Sequence, residues 1–143
     1  MNRPLPRSLA LLAVAAFLSL AVAPVPAAER SQVPDKYKWD LRELYPSMEA
    51  WTAARENLAG RVPRIAAYQG RLGAAPESLH AALSTMMDLD RDLSRLYTYA
   101  SQLNDEDQRV SRHLEMREAA ERMVVQFRSA GAYVRPEILS IGS

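Results

Sequence analysis

Residues 76–103 read PESLHAALSTMMDLDRDLSRLYTYASQL, and two sets of apolar residues recur through this stretch at every seventh position. The first set is Leu79, Met86, Leu93 and Ala100, and the second, three positions later, is Ala82, Leu89, Leu96 and Leu103. Apolar residues at steps of three and four lie on one face of an α-helix. The double series therefore predicts a long helix over residues 76–103 that packs nearly parallel or antiparallel to a neighbour.

The segment before this helix shows the same periodicity. Its heptad-spaced apolar residues are Trp51, Leu58, Ile65 and Leu72. They predict a helix over about residues 48–69, with Ser47 as its N-cap. Pro63 lies inside this helix and removes one backbone hydrogen bond, so we expect a kink or break near residues 60–62.

A third helical series follows the polar run at residues 104–107. It comprises Met116, Ala120, Met123, Phe127, Ala130 and Val134, and it predicts a helix over about residues 109–133. Ser111 or Asp107 is a candidate N-cap, and Pro136 can begin a short final turn through Ile141. No segment alternates between apolar and polar residues as a strand does. The expected fold is all-α, with an N-terminal signal helix, an up-down-up bundle of three main helices and a short terminal turn.

Two groups of apolar residues have no partner in this arrangement. They are Trp39, Leu41, Leu44 and Tyr45 ahead of the first helix, and Leu114, Val124 and Val125 on the third. Apolar clusters of this size are typical of surfaces that contact more protein.

The first 28 residues have the pattern of an export signal. Arg3 and Arg7 precede an apolar run of about 15 residues (9–23), and small residues follow it. We expect cleavage after Ala27 or Ala28. The alternative is an uncleaved anchor, but spanning a bilayer takes about 20 apolar residues. The expected organisation is a signal peptide (1–28), a flexible leader (29–38) and a helical domain (39–143) that is exported to the periplasm or secreted and meets the membrane only during export.

The charge balance excludes nucleic acid as an expected partner. Without residues 1–28 the chain carries 16 Lys+Arg against 17 Asp+Glu, whereas phosphate binding requires a basic excess on one face. The sequence has no cysteine, so disulfides and thiolate chemistry are also excluded.

The sequence offers no recognisable catalytic or metal-binding set. His80 and His113 are 33 residues apart, whereas the zinc motif H-E-x-x-H needs two histidines one helical turn apart. The carboxylates of Asp105, Glu106 and Asp107 lack the glycine and spaced ligands of a calcium loop. We therefore predict no catalytic, cofactor-binding or metal residue in this chain.

Tyr97 and Tyr99 are the candidate peptide-groove residues. Residues two apart on a helix lie on different faces, so one can belong to the core while the other points to a groove and donates a hydrogen bond to a peptide carbonyl. The alternative is that both are packing residues.

Several separated blocks resemble the oligoendopeptidase F family, the thimet-oligopeptidase-like zinc metallopeptidases. In chain order the blocks are residues 39–41, 44–47 with Trp51, 68–73, 96–101, 105–107 and 136–139. The resemblance implies a helical fold around a channel that admits short peptides. It also implies zinc in the full-length enzyme, bound by an H-E-x-x-H motif that this sequence does not contain.

On this resemblance the chain corresponds to the N-terminal helical portion that helps to form the channel wall. Its expected partners are a catalytic half, located downstream or on a separate chain, and short peptides. The alternative is a free-standing exported helical module that binds peptides or a protein.

Overall fold

The computed structural model describes residues 30–141, and all regular structure in this range is helical. The four α-helices are α1 (Met48–Arg61), α2 (Pro76–Glu106), α3 (Ser111–Ala130) and α4 (Val134–Ser140). Short 3-10 helices occupy Arg30–Gln32, Asp35–Tyr37, Leu41–Glu43 and Val62–Tyr68. The all-α prediction is confirmed for this range, while the predicted signal peptide and its cleavage site at Ala27 or Ala28 lie outside the described residues.

Within the described range, residues 34–141 form one compact unit, and the 3-10 helix Arg30–Gln32 belongs to a separate unit. Among residues 30–141, no helix combines the length and the apolar character needed to cross a bilayer.

The break predicted at Pro63 is present. Ser47 caps α1, since its Oγ accepts a hydrogen bond from the Ala50 N–H at 3.2 Å. The α-helix ends at Arg61 and continues as the 3-10 helix Val62–Tyr68, because Pro63 has no N–H to donate. The 3-10 helix has three residues per turn, which keeps Val62 and Ile65 on one buried face.

The first three residues of the polar run that was expected to end the second helix are part of it, and Asp107 lies just outside. α2 continues three residues past the predicted end, to Glu106. Asn104 lies one turn after the buried Ala100 and is itself buried. Packing of that face therefore outweighs the weak helix propensity of the run.

The third helix is shorter than predicted at both ends. Neither candidate cap serves it, because Ser111 is its first helical residue and Val110 occupies the N-cap position. Asp107 instead accepts a hydrogen bond from the Arg109 N–H at 3.0 Å, which shapes the preceding turn. The helix ends at Ala130, and a Cβ on the following Gly131 would lie 2.7 Å from the terminal methyl of Met86. The terminal turn predicted from Pro136 through Ile141 is present as α4, which begins two residues earlier, at Val134, and ends at Ser140.

The core lies between α2 and α3 and under α1. From α2 it contains Leu89, Leu93, Leu96 and Ala100, from α3 Met116, Ala120 and Met123, and from the first segment Trp51, Leu58, Val62 and Ile65. Trp51 donates from Nε1 to the carbonyl of Leu96 at 2.8 Å, and Arg61 forms an ion pair with Asp92 at 2.8 Å. The predicted double seam is thus buried at most positions, while Leu79, Met86 and Leu103 are half-buried.

The expectation of an unpartnered cluster ahead of the first helix is wrong for three of its four residues. Leu41 is buried, and Leu44 and Tyr45 pack against the core. The ring of Tyr45 meets that of Tyr99 edge to face at a centroid distance of 5.5 Å. Trp39 remains exposed.

α4 closes the far end of the domain onto the turn that follows the 3-10 helix Val62–Tyr68. Gly70 has a φ of +75°, a conformation that glycine adopts without strain. Its N–H donates to Oε1 of Glu137 at 2.6 Å, and the Leu72 N–H donates to Oε2 at 3.5 Å. The Tyr133 hydroxyl donates to the Ile65 carbonyl at 2.7 Å. A side-chain carboxylate therefore holds a turn that is 67 residues away.

Replacing Glu137 with alanine is expected to lower the free energy of unfolding by about 1.5–3 kcal/mol, because hydrogen bonds to a charged group are lost. Glu137→Gln keeps one acceptor oxygen and should have a smaller effect. Chemical denaturation measures both, with Glu115→Ala, an exposed change on α3, as the control. Equal midpoints for Glu137→Ala and Glu115→Ala would contradict this role.

Candidate functional site

The two candidate groove tyrosines lie in different environments. Tyr99 is buried, with 5% of its surface exposed, whereas Tyr97 is 37% exposed. Both lie on α2, and a separation of two residues turns their side chains about 200° apart around the helix. The structure therefore places Tyr99 in the core and Tyr97 at the surface.

Tyr97 lines a groove of about 430 Å³ between α2 and α3. The α2 wall is formed by Asp90, Leu93, Ser94 and Tyr97. The α3 wall is formed by Glu121, Val124, Val125, Phe127 and Arg128. The lining is thus apolar between charged residues, an arrangement suited to an apolar segment that also carries charge.

The charges of the groove lie on opposite walls. Asp90 is on α2 and Arg128 is on α3, and neither forms an ion pair within residues 31–141. Glu121, in contrast, lies 3.5 Å from Nε of Arg117. Sequence reasoning missed Asp90 and Arg128, although the steps from Asp90 to Ser94 and Tyr97 were a visible signal for one shared helix face.

Tyr99 packs under Tyr45 and away from the groove. Burial, with a smaller contribution from the Glu49 carboxylate, raises the pKa of the Tyr99 hydroxyl above its ordinary value of 10.0. Burial likewise raises the pKa values of Tyr45 and Tyr133. Tyr99 is therefore held protonated as a core residue.

These shifts predict a loss of stability at alkaline pH. Below pH 10 the tyrosines are protonated in both states, so their contribution to stability is complete. As the pH rises above 10, the unfolded chain releases protons that the folded chain retains, and the free energy of unfolding falls. Tyr99→Phe should make that decline shallower in denaturation curves between pH 8 and pH 11, whereas the exposed Tyr37→Phe should not. An identical decline in the two variants would contradict the assignment.

The residues with metal-ligating side chains are dispersed. His80 is exposed near the start of α2, and His113 is half-buried near the start of α3. Hydrogen bonds from the side chain and backbone of Arg109 hold the pKa of Asp107 well below its usual range. Within residues 30–141, no group of three or more His, Cys, Asp or Glu is placed to hold a metal ion.

Two of the sequence blocks meet in the structure. Glu137, from the block at residues 136–139, binds the backbone of Gly70 and Leu72, from the block at residues 68–73. No local pattern indicates this contact, because it joins a side chain to backbone groups far away in the sequence.

Comparison with known proteins identifies relatives of one kind. The chain is 34% identical to oligopeptidase PepF of Bacillus subtilis over 113 residues. This aligned stretch makes up 79% of this chain and 17% of the PepF protein. It is 29% identical over 112 residues to group B oligopeptidase PepB of Streptococcus agalactiae, and the aligned stretch makes up 78% of this chain and 19% of PepB. It is also 29% identical over 116 residues to the plasmid-encoded oligoendopeptidase F of Lactococcus lactis subsp. cremoris, covering 80% and 19%.

No protein-family model and no solved structure matches the chain. The chain spans less than a fifth of the length of each of these three relatives. The similarity nevertheless extends over about four fifths of the chain, and each relative is named as an oligopeptidase or oligoendopeptidase. By this similarity the chain belongs to the oligoendopeptidase F family.

Proposed function

We propose that this chain is the N-terminal helical, channel-wall portion of an exported oligoendopeptidase F-like zinc metallopeptidase that hydrolyses short peptides. The observation that carries the proposal is the alignment of about four fifths of the chain with less than a fifth of each relative. A wall segment needs a stable helical scaffold and a surface for the rest of the enzyme, and the buried α2/α3 seam and the exposed side of α3 meet these two needs.

The residues of this chain do not fit the zinc that the family implies. A catalytic zinc site uses three protein ligands and a bound water, but His80 and His113 lie on different helices and no third ligand is grouped with either among residues 30–141. We therefore assign no step of hydrolysis to this segment. Zinc and its ligands belong to the catalytic half of the proposed enzyme, which is the partner of this chain.

Export to the periplasm or outside the cell is part of the proposal. It rests on Arg3, Arg7 and the apolar residues 9–23, followed by small residues at the expected cleavage site, Ala27 or Ala28. A fusion of residues 1–40 to a reporter that is active only after export tests this, and a silent reporter would count against it.

The enzyme assignment is tested by reconstitution. The purified chain should neither retain stoichiometric zinc after dialysis nor cleave a quenched-fluorescent peptide, because metal-assisted hydrolysis needs a bound water and a positioned base. Mixed with the Bacillus subtilis relative from which the matched 113 residues have been deleted, it should restore chelator-sensitive cleavage. Chelator-sensitive cleavage by the chain alone would contradict the proposal. So would a mixture in which the relative's own segment restores peptide cleavage but this chain does not.

A second candidate is a free-standing exported module that binds peptides or a protein. The observation that favours it is the groove beside Tyr97, which has apolar lining and charged rims. In this case the purified chain should be monomeric and bind no hydrophobic dye. It should also bind a short peptide, and Tyr97→Ala should weaken this binding whereas Tyr37→Ala should not. If neither variant weakens peptide binding, this groove is not the peptide site.

A further inference from the structure

The α2/α3 pair is covered on one side only. On α2, Asp92 and Leu96 face α1, where they contact Arg61 and Trp51. Asp90 and Tyr97 line the groove instead. At about 100° per residue, these groove positions lie about 100–160° around α2 from Asp92 and Leu96, on the other flank of the helix.

α3 shows the same division. Ala119 and Met123 share a surface depression with Arg55 and Ala59 of α1, whereas Val125 and Arg128 line the groove. The helix pair therefore has α1 as a layer on one side and no helix of residues 30–141 in the groove on the other. In a four-helix bundle, the fourth helix occupies such an open side.

The open side of α2 carries a stripe in which the exposed apolar residues Leu83, Met87 and Tyr97 flank Asp90 and Ser94. Leu83 and Met87 precede Asp90 at helical spacing and lie on the same side of α2 as the groove. Met87 is 72% exposed, and Val125, on the α3 wall, is 63% exposed. From position 83 to position 97 the stripe extends about 21 Å, or four helical turns, at about 1.5 Å per residue. Single exposed apolar residues are ordinary, but a stripe shared by two helices is typical of an interaction surface.

The charges of the groove favour a partner that is itself charged. Asp90 on one wall and Arg128 on the other are free of ion pairs within residues 31–141. A partner with a basic side chain beside Asp90 and an acidic one beside Arg128 would neutralise both. Opposite charges on the two walls also select one orientation of the partner, since the reverse orientation brings like charges together.

We propose that the α2/α3 groove docks one amphipathic helix, about four turns long, from the remaining part of the family protein, with a basic side chain against Asp90 and an acidic side chain against Arg128. The proposal rests on the proposed function above. The remaining part is the indicated source because more than four fifths of the length of each relative lies outside the segment matched here. Two helices set 8–10 Å from a third form a groove that accepts one row of its side chains.

The test measures binding of the full chain to the Bacillus subtilis relative without its matched 113 residues, with the relative's own segment as the reference. We expect a one-to-one complex in which amide exchange slows over residues 83–97 and 121–128. Val125→Asp should weaken the complex by about tenfold or more, because it places a charge in an apolar contact. The matched control is Leu139→Asp on α4, outside the groove lining and 72% exposed, which should leave binding unchanged.

The charge requirement has its own variants. Asp90→Lys and Arg128→Glu should each weaken the complex, and the double variant, with its reversed walls, should not recover the affinity. The four substituted positions are exposed in the free chain, so the circular dichroism spectrum of each variant should match that of the parent chain. They are residues 90, 125, 128 and 139.

Four outcomes overturn the proposal. A complex that Val125→Asp does not weaken places the interface elsewhere and leaves the proposed function standing. If the chain self-associates and Val125→Asp abolishes this, the occupant of the groove is a second copy of the chain. If a short free peptide slows amide exchange over the same residues, the result favours the free-standing binding module. Failure to bind where the reference segment binds overturns both this proposal and the proposed function.

Discussion

Replacing Leu96 with alanine is expected to lower the free energy of unfolding by about 2–5 kcal/mol, because the change leaves a cavity in a packed core. Leu96 is fully buried on α2, and its neighbours in the core come from α1 and α3. The surrounding helices cannot collapse around the lost side chain without moving relative to one another. Leu93→Ala, one turn earlier on the same seam, should have an effect of similar size.

Urea denaturation followed by circular dichroism measures this cost. Leu139→Ala, at an exposed position on α4, and His80→Ala, at an exposed position on α2, are the controls, and each should stay within about 0.5 kcal/mol of the parent chain. Equal midpoints for Leu96→Ala and His80→Ala would show that the α2 seam is not the centre of the core.

Trp51→Ala is expected to be similarly severe, with a cost of about 3–5 kcal/mol. The indole is buried, and it is the side chain through which α1 donates a hydrogen bond to the Leu96 carbonyl at 2.8 Å. Trp51→Phe keeps most of the apolar volume and loses the hydrogen bond, so its cost should be smaller. The difference between the two variants separates packing from hydrogen bonding.

The Trp51 and Leu96 substitutions should not be additive. The Trp51 indole bonds the Leu96 backbone carbonyl, and both side chains belong to one buried core cluster, where neighbouring residues commonly show interaction energies of about 0.5–3 kcal/mol. A double-mutant cycle measured by the same urea titration tests this. Strict additivity would mean that the two side chains contribute to stability independently, contrary to this expectation.

Helical periodicity and local backbone chemistry accounted for the main elements. The seven-residue series on α2 identified the seam correctly because burial of one helix face leaves a repeating pattern in the sequence. Pro63 marked the change from α-helix to 3-10 helix, since its missing N–H acts at its own position. Ser47 was recognisable as a cap for the same reason, because its hydrogen bond reaches only three residues ahead.

Features that depend on distant contacts were not predictable in this way. The run at residues 104–107 looked like a break, but α2 continues through Glu106, with Asn104 buried. Leu44 and Tyr45 looked unpartnered because their cover comes from elsewhere in the fold, Tyr99 included. Gly131 follows the end of α3, and the approach of the Met86 methyl to within 2.7 Å of a Cβ at that position is not revealed by any local pattern.

The candidate groove was predictable in part. Spacing alone separated Tyr97 from Tyr99, and the structure places one at a groove and the other in the core. The opposing wall could not be derived from spacing, because the placement of Arg128 across from Asp90 depends on the register between α2 and α3. Helix packing sets that register through side-chain interlocking over the whole interface.

The contacts between α4 and the turn at residues 70–72 have a consequence for the order of folding. Most of the domain is built from helices and from neighbours along the chain, contacts that form rapidly. The hydrogen bond that Glu137 accepts from Gly70 and the one that Tyr133 donates to Ile65 join residues 67 and 68 positions apart. They close a long loop and should therefore form after the rate-limiting step. Changes at Glu137 should then act chiefly by accelerating unfolding and leave the folding rate nearly unchanged. This end of the domain would open first whenever the chain begins to unfold.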